Sequence, residues 1–311
     1  MFLLLLRAGR RRRYPCIRRN RGAAPGERRN RCCCRSSLMA ARLAAVIGSP
    51  VTHSLSPAIH RAAFAAAGVD WSYVAFDVAD GEAEAALDAM RTLGIAGLSV
   101  TMPHKTVVSQ LVDRLDAAAL RLKSVNTVSR DGAALVGSST DGAGFVASLD
   151  EAGVDVDGAK VAIIGAGGAA RSLVDALARA GSIDIVILNR TPANAADAVA
   201  LTPVASLGAL SDIGRADIVV NATSIGMGEN GGFPCDPSLF RETQVVADLV
   251  YHPLETQWLT AAAERGCRTV DGLGMLVHQA ALQQQIWLGD EAVIDTAAMR
   301  AAAEAVLALP A

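Results

Sequence analysis

The stretch "AKVAIIGAGGAARSLVDALARAG" at residues 159–181 decides the fold. An apolar run ends in a cluster of glycines and passes directly into a segment with apolar residues at helical spacing. That order is strand, tight turn, helix. Gly165, Gly167 and Gly168, with Ala166 and Ala169 among them, keep the turn free of bulk. Small residues let the backbone approach a pyrophosphate, whose charge is favoured at a helix N-terminus. The pattern is G-x-G-G, and Ala170 stands where a third Gly of G-x-G-x-x-G would be, a position that tolerates Ala. A Gly-rich loop alone is also an ordinary βα turn. Its place in a strand–turn–helix–strand unit points to a dinucleotide site.

The next strand sharpens the cofactor choice. "IDIVILNRT" runs into Asn189, Arg190 and Thr191 rather than into an acid. An acid there would bond the ribose hydroxyls of NAD. An Arg suits the 2′-phosphate of NADP and can stack on the adenine. We therefore expect NADP, against the alternative of an ordinary exposed Arg.

Outward from this unit, strands alternate with helices. "ADIVVNATS", "VVADLVY" and "CRTV" read as further strands downstream. Upstream, "RLAAVIG", "WSYVAFDV" and "IAGLSVT" read as strands, and "VNTVS", the turn "RDG" and "ALVG" as a β-hairpin. "SLSPAIHRAAFAAAG" reads as a helix with Ser56 as N-cap, Pro57 at the first helical position and Gly68 just past the end. Another helix is expected to start near Gly142, and an Ala- and Gln-rich helix near Leu276. The fold class expected is α/β in two domains. An N-terminal α/β domain at residues 39–141, completed by helices in 276–311, precedes a Rossmann-type domain at 142–275, with a cleft between them.

Charge is unevenly spread. Residues 1–38 hold twelve Arg and one acid, Glu27, which leaves 17 basic and 30 acidic residues in the rest, near −13. An acidic body argues against nucleic-acid binding, which needs clustered cations. No apolar run approaches the roughly 20 residues that span a bilayer. Four of the six Cys lie in the leader, leaving Cys235 and Cys267, so a reducing cytoplasm is the expectation. The leader reads as a basic arm, a transit peptide or a stretch upstream of the true start; we expect translation from Met39. His53, His60, His104, His252 and His278 show no ligand spacing, so no metal is expected.

Nine motifs occur in a telling order: "GSPVTHSLSPAIH", "SVTMPHK", "SVNTV", "STDGAG", "GAGGAAR", "NRT", "NATSIGM", "DLVY" and "DGLGMLVHQA". Together they resemble the shikimate dehydrogenase family over roughly residues 41–288. The resemblance implies a two-domain, NADP-dependent enzyme of chorismate and aromatic amino-acid biosynthesis that interconverts 3-dehydroshikimate and shikimate. It implies that Ser54 and Ser56 bond the substrate carboxylate and that Thr101 contacts substrate. Lys105 would be the catalytic Lys, with Asn126 and Asp141 on the ring hydroxyls and Tyr251 and Gln279 as further substrate contacts. The Gly-rich loop, Asn189, Arg190, Thr191 and Thr223 would hold the cofactor, and Gly272, Gly274 and Met275 would lie by the nicotinamide. The partner implied is a small molecule, with no nucleic acid and no membrane, and the protein a monomer or homodimer.

Elementary chemistry agrees with that assignment. Oxidising a secondary alcohol needs a hydride acceptor and a group that takes the hydroxyl proton. A Lys can do this if burial lowers its pKa, whereas a neighbouring Asp opposes the fall and holds the amine in place. Asp141 is therefore expected to orient, and which of the pair moves the proton stays open. Taken singly, Ser56 and Asp141 also read as helix caps, Asn126 as turn chemistry and Tyr251 as packing.

Four positions depart from the family pattern. Ser99 and Ser139 stand where Asn is usual, and we expect their local hydrogen bonds to persist in altered form. Arg61 replaces a common Asn. Asn194 occupies a place where a second basic residue often clamps the 2′-phosphate; losing one charge-assisted bond costs about 1.5–3 kcal/mol, so some NAD use is conceivable. The alternatives are a quinate/shikimate dehydrogenase using NAD and a non-catalytic NADPH-binding regulator. The Ser at 56 and the missing acid after "IVIL" argue against the first, and Lys105 with Asp141 against the second.

Overall fold

The computed structural model describes residues 42–228 and 231–309. The basic leader and the expected start at Met39 lie outside the described residues. Two six-stranded sheets organise the chain. The first holds β1 (Arg42–Gly48), β2 (Trp71–Asp77), β3 (Gly97–Val100), β4 (Arg114–Leu115), β5 (Thr127–Asp131) and β6 (Ala134–Ser138), in the order β2-β1-β3-β5-β6-β4. The second holds β7 (Lys160–Ile164), β8 (Asp184–Leu188), β9 (Ala205–Leu207), β10 (Ile218–Asn221), β11 (Val245–Asp248) and β12 (Arg268–Val270), in the order β12-β11-β10-β7-β8-β9.

The helices are α1 (Ser56–Ala66), α2 (Ala83–Leu93), α3 (Lys105–Leu111), α4 (Ala117–Leu122) and α5 (Asp141–Glu151). They are followed by α6 (Gly168–Arg179), α7 (Ala196–Val199), α8 (Gln257–Glu264), α9 (Gly272–Leu288) and α10 (Thr296–Leu307).

The second sheet is parallel throughout, and its order reverses between β7 and β10. That is the doubly wound arrangement, whose ligand crevice opens at the carboxyl ends of the strands flanking the reversal. Near-continuous apolar strands such as "KVAII" and "DIVIL" suit a sheet covered on both faces. Ile163, Ile185, Ile187 and Val220 pack on one face with Leu173 and Leu177 of α6, and Ala162, Val219 and Val246 pack on the other with Trp258 of α8.

The first sheet is mixed. β1, β2 and β3 run parallel; β5 and β6 form the hairpin read from the sequence, and β5 pairs antiparallel with β3. Leu98, Val100, Ala45 and Ile47 face α2 and α3. The opposite face carries Ala44, Val46 and Tyr73 toward Phe64 of α1 and Trp287 of α9. α9 thus packs on the first sheet and also along α5, where Gly144 makes the close approach possible. A Cβ at Gly144 would lie 2.6 Å from the Gln279 backbone nitrogen.

Some local expectations need correction. Ser56 is the first residue of α1 and not its cap; Leu55 holds the cap position with no side-chain bond. The Ser54 hydroxyl accepts the Ser56 backbone N–H at 3.3 Å, just before the helix. The C-terminal helix starts at Gly272, four residues before Leu276, because Asp271 caps it by accepting from Leu273 N and Gly274 N. The short β4, β9, α4 and α7 were not read from the sequence, being too brief to show a period. The Ser139 hydroxyl is buried without a partner, so the expectation that its local bond persists fails there.

Candidate active site

The loop after β3 turns at Thr101 and hands the chain to α3, whose first residue is Lys105. The hairpin entrance brings Asn126, and the start of α5 brings Asp141. These three side chains meet. Lys105 Nζ donates to Asp141 Oδ2 at 2.6 Å, and Asn126 Nδ2 donates to Asp141 Oδ1 at 2.7 Å. Both carboxylate oxygens are therefore engaged, one by a cation and one by a neutral amide. The Lys105 side chain stays 29% exposed and that of Asp141 12%, so the amine reaches the surface of the cleft while the carboxylate lies behind it.

Asn126 is held with unusual completeness. Its Oδ1 accepts Thr140 N at 2.9 Å and the Thr127 hydroxyl at 2.8 Å, while Nδ2 also reaches Thr140 Oγ1 and, at 3.4 Å, Gln279 Oε1. Those contacts fix which end of the amide is oxygen. Thr140 Oγ1 donates to the Gln279 carbonyl at 3.0 Å, tying α9 to the start of α5. Lys105, Asn126, Asp141 and Gln279 thus form one hydrogen-bonded cluster.

Ser54 and Ser56, at the entry to α1, join no hydrogen bond of that cluster among the described residues. Thr101 is half-buried in the turn, its methyl against Gly48, and its backbone carbonyl accepts His104 N. Tyr251 is half-buried against the apolar cluster that includes Leu273 and Val277 of α9, and burial pushes its phenol above the ordinary range. Among the described residues it joins no bond of the cluster.

On the cofactor side, Gly165 has φ +112°, and a Cβ there would meet Ala222 O at 2.8 Å and Thr223 Cγ2 at 3.0 Å. Only Gly lets the loop after β7 approach the loop after β10 this closely. Gly167 and Gly168 face open space, and α6 begins at Gly168 with no side chain capping its free N–H groups. Ala166 and Ala169 are half-buried beside them. An uncapped twelve-residue helix behind an unobstructed glycine pair fits a pyrophosphate.

Asn189 Nδ2 donates to Thr191 O at 2.7 Å, folding the turn after β8 so that Arg190 is exposed at its tip. Asn194 is exposed close by and offers no second cation. Thr223 is pinned from below: its hydroxyl donates to Asn221 Oδ1 at 2.7 Å, and Asn221 Nδ2 donates to Asp248 Oδ1 at 2.8 Å. Burial raises the Asp248 carboxyl, against the hydrogen bonds it accepts. Gly272 packs against the carbonyls of Leu249 and Val250, and Met275 lies against the second sheet's core.

A model of the shikimate dehydrogenase substrate binding domain matches residues 46–128. A shikimate / quinate 5-dehydrogenase model matches 148–226, and a shikimate 5'-dehydrogenase C-terminal domain model matches 272–304. A protein named shikimate dehydrogenase (NADP(+)) from Moorella thermoacetica is 44% identical over 264 residues, 81% of this chain and 90% of its own length. The chain belongs to the shikimate dehydrogenase family.

Solved structures agree with that membership. Shikimate 5-dehydrogenase of Thermus thermophilus, in complex with NADP(H) and shikimate, superposes with a TM-score of 0.80 at 34% identity, covering 85% of this chain and 99% of that one. Ligand-free 5-ketofructose reductase of a Gluconobacter strain superposes at 0.81 with 33% identity, covering 86% and 99%. The N-terminal half of this family member is a substrate-binding domain and the C-terminal half a dinucleotide-binding one.

Tyr73, Gln283 and Gln284 do not stand out in the sequence, and Ser99 does so only as an unexplained departure. All four are buried; Tyr73, Ser99 and Gln283 are hydrogen-bonded in a row that ends on the Asn126 backbone, and Gln284 bonds His60. A signal existed: Gln279 and Gln283 are four apart on one helix, so they share a face.

Proposed function

We propose that the chain catalyses the reversible NADPH-dependent reduction of 3-dehydroshikimate to shikimate, in the branch that leads to chorismate and the aromatic amino acids. The observation that carries this reading is the Lys105–Asp141–Asn126 arrangement at the edge of the substrate-binding domain. NADPH, when bound at the Gly-rich loop, Thr223, Arg190 and the start of α9, supplies the hydride. The chain's own residues then supply a proton and a fixed pose. Lys105 is the proton donor to the oxygen of the ketone being reduced. Both oxygens of Asp141 already accept hydrogen bonds, whereas the Lys105 ammonium has two N–H groups beyond the one given to Asp141. Asp141 is an orienter that returns the amine to one place each turnover.

In the reverse direction Lys105 accepts the hydroxyl proton. Asn126 and Gln279 can each donate and accept toward a polyhydroxylated ring. Ser54 and Ser56 offer hydroxyls to a carboxylate without adding charge, with Thr101 and Tyr251 closing the pocket around the ring. Cys235 and Cys267 are free and buried, which suits a reducing cytoplasm.

The test is a steady-state panel of shikimate and quinate against NADP and NAD, widened to ketohexoses because a reductase of another substrate shares the fold. The largest kcat/KM is expected for shikimate with NADP. Absence of shikimate turnover, or a preference for NAD, would overturn the assignment.

A further inference from the structure

Behind the cluster lies a buried polar chain that the chemistry above does not use. α1 contributes His60, β2 Tyr73, β3 Ser99, and α9 Gln283 and Gln284, and none is more than 5% exposed. Uncharged polar side chains in such a place are costly unless they are paired.

The pairing has a direction. Gln283 Nε2 lies 3.0 Å from the Asn126 backbone carbonyl, which can only accept. The Gln283 Oε1 is therefore turned the other way, where it accepts the Ser99 hydroxyl at 2.6 Å. Ser99 spends its one proton there, so it accepts from the Tyr73 phenol at 2.6 Å. The order is Tyr73 to Ser99 to Gln283 to Asn126. His60 stacks on the Tyr73 ring at 4.2 Å, and Gln284 holds its Nδ1 at 3.1 Å. At the Tyr73 end the Ser56 hydroxyl stands beside the phenol.

The Asn126 carbonyl does not need Gln283 for satisfaction, because Val100 N already donates to it at 2.7 Å. A Gln spent on an already satisfied carbonyl constrains position. The side chain of the same Asn126 carries Asp141. We propose that Gln283, with Ser99 and Tyr73 behind it, is a positioning residue for the proton-transfer pair: it fixes the Asn126 backbone, and through it the carboxylate on which Lys105 rests. This rests on the assignment of Lys105 and Asp141 made above.

Gln283→Leu removes the bond to Asn126 at similar volume. Gln283→Glu keeps the acceptor for Ser99 but can donate to Asn126 only while protonated. The titratable or charged groups facing this position are His60 from α1 and Tyr73 from β2, with Lys105 and Asp141 beyond Asn126. For Gln283→Leu, kcat with shikimate is expected to fall about ten- to a hundredfold, with the NADPH Kd unchanged. For Gln283→Glu, kcat/KM should recover as pH is lowered, through a titration the wild type lacks. A filler role would lower the melting temperature and leave kcat per folded molecule and the pH profile as in the wild type; that result would overturn the proposal. The NMR titration of Lys105 Nζ in the wild type and in Gln283→Leu decides between the two roles without turnover. A moved titration supports positioning, and an identical one refutes it. A wild type inactive on shikimate would sink the functional reading alone.

Discussion

Acid should loosen the substrate-binding domain through His60. The ring is fully buried, and burial drives its pKa from 6.5 down to about 3. In the unfolded chain it titrates near 6.5. Between those values the unfolded state binds a proton that the folded state excludes, so the stabilisation is complete above about 6.5 and falls as the pH drops. The slope is about 1.4 kcal/mol per pH unit, which gives a loss of about 2 kcal/mol at pH 5 and roughly 5 by pH 3. Asp248 works in the opposite sense, since its raised carboxyl makes a contribution that is lost as pH rises. Asp113 and Asp236 are held low, so their contributions are lost only below the ordinary carboxylate range. Comparing the wild type with His60→Phe cancels those groups. The Phe keeps a ring against Tyr73 and cannot titrate, and Gln284 Nε2 retains the residue-60 carbonyl, 3.0 Å away. Urea unfolding followed by tryptophan fluorescence at pH 7.5 and pH 5 should show a pH-dependent loss about 2 kcal/mol smaller in the variant. Equal losses in both proteins would refute the reasoning.

Three further outcomes follow from the site. Lys105→Ala should lower kcat by about two to four orders of magnitude with the NADPH Kd intact, measured by fluorescence titration; unchanged turnover refutes the proton role. Arg190→Ala should raise the KM for NADPH about ten- to a hundredfold, matching about 1.5–3 kcal/mol for a charge-assisted bond, and leave that for NADH unmoved. Equal effects on both cofactors would remove the 2′-phosphate contact. Gly144→Ala puts a Cβ 2.6 Å from the Gln279 nitrogen. It should cost about 1–3 kcal/mol in denaturant melts and raise the KM for shikimate, and a stability like the wild type's would show that the helices can part there.

The chain made much of its fold plain. The run from Ala159 to Gly181 could only be strand, turn and helix, and a hairpin was plain around Gly132, although Arg130 and Asp131, read as turn, belong to β5 and the turn is Gly132 and Ala133. The four residues of the polar cluster were all named, because each sits in a short motif that resembles the family's. What escaped was partnership across distance. Nothing near Ser99 in sequence announces Tyr73, and Gln283 is 184 residues further on. Helix caps escaped for a different reason. Two serines and a proline stand within four residues around Leu55, and the expected cap at Ser56 was one residue too late.

α9 sets Gly272 and Met275 against the second sheet's domain, Gln279 in the polar cluster and Gln283 in the supporting chain. One rigid rod therefore gauges the separation of the two sites proposed above. Met275 and Gln279 are four residues apart, about 6 Å along the axis, and Gln283 lies about 6 Å further. A single inserted residue would swing everything downstream by about 100° and advance it about 1.5 Å, so both sites would lose register at once. Surface loops absorb length changes, but here the permitted length between Met275 and Gln279 is one integer. The enzyme's tolerance for insertions should collapse abruptly at Gly272 and return only beyond Leu288.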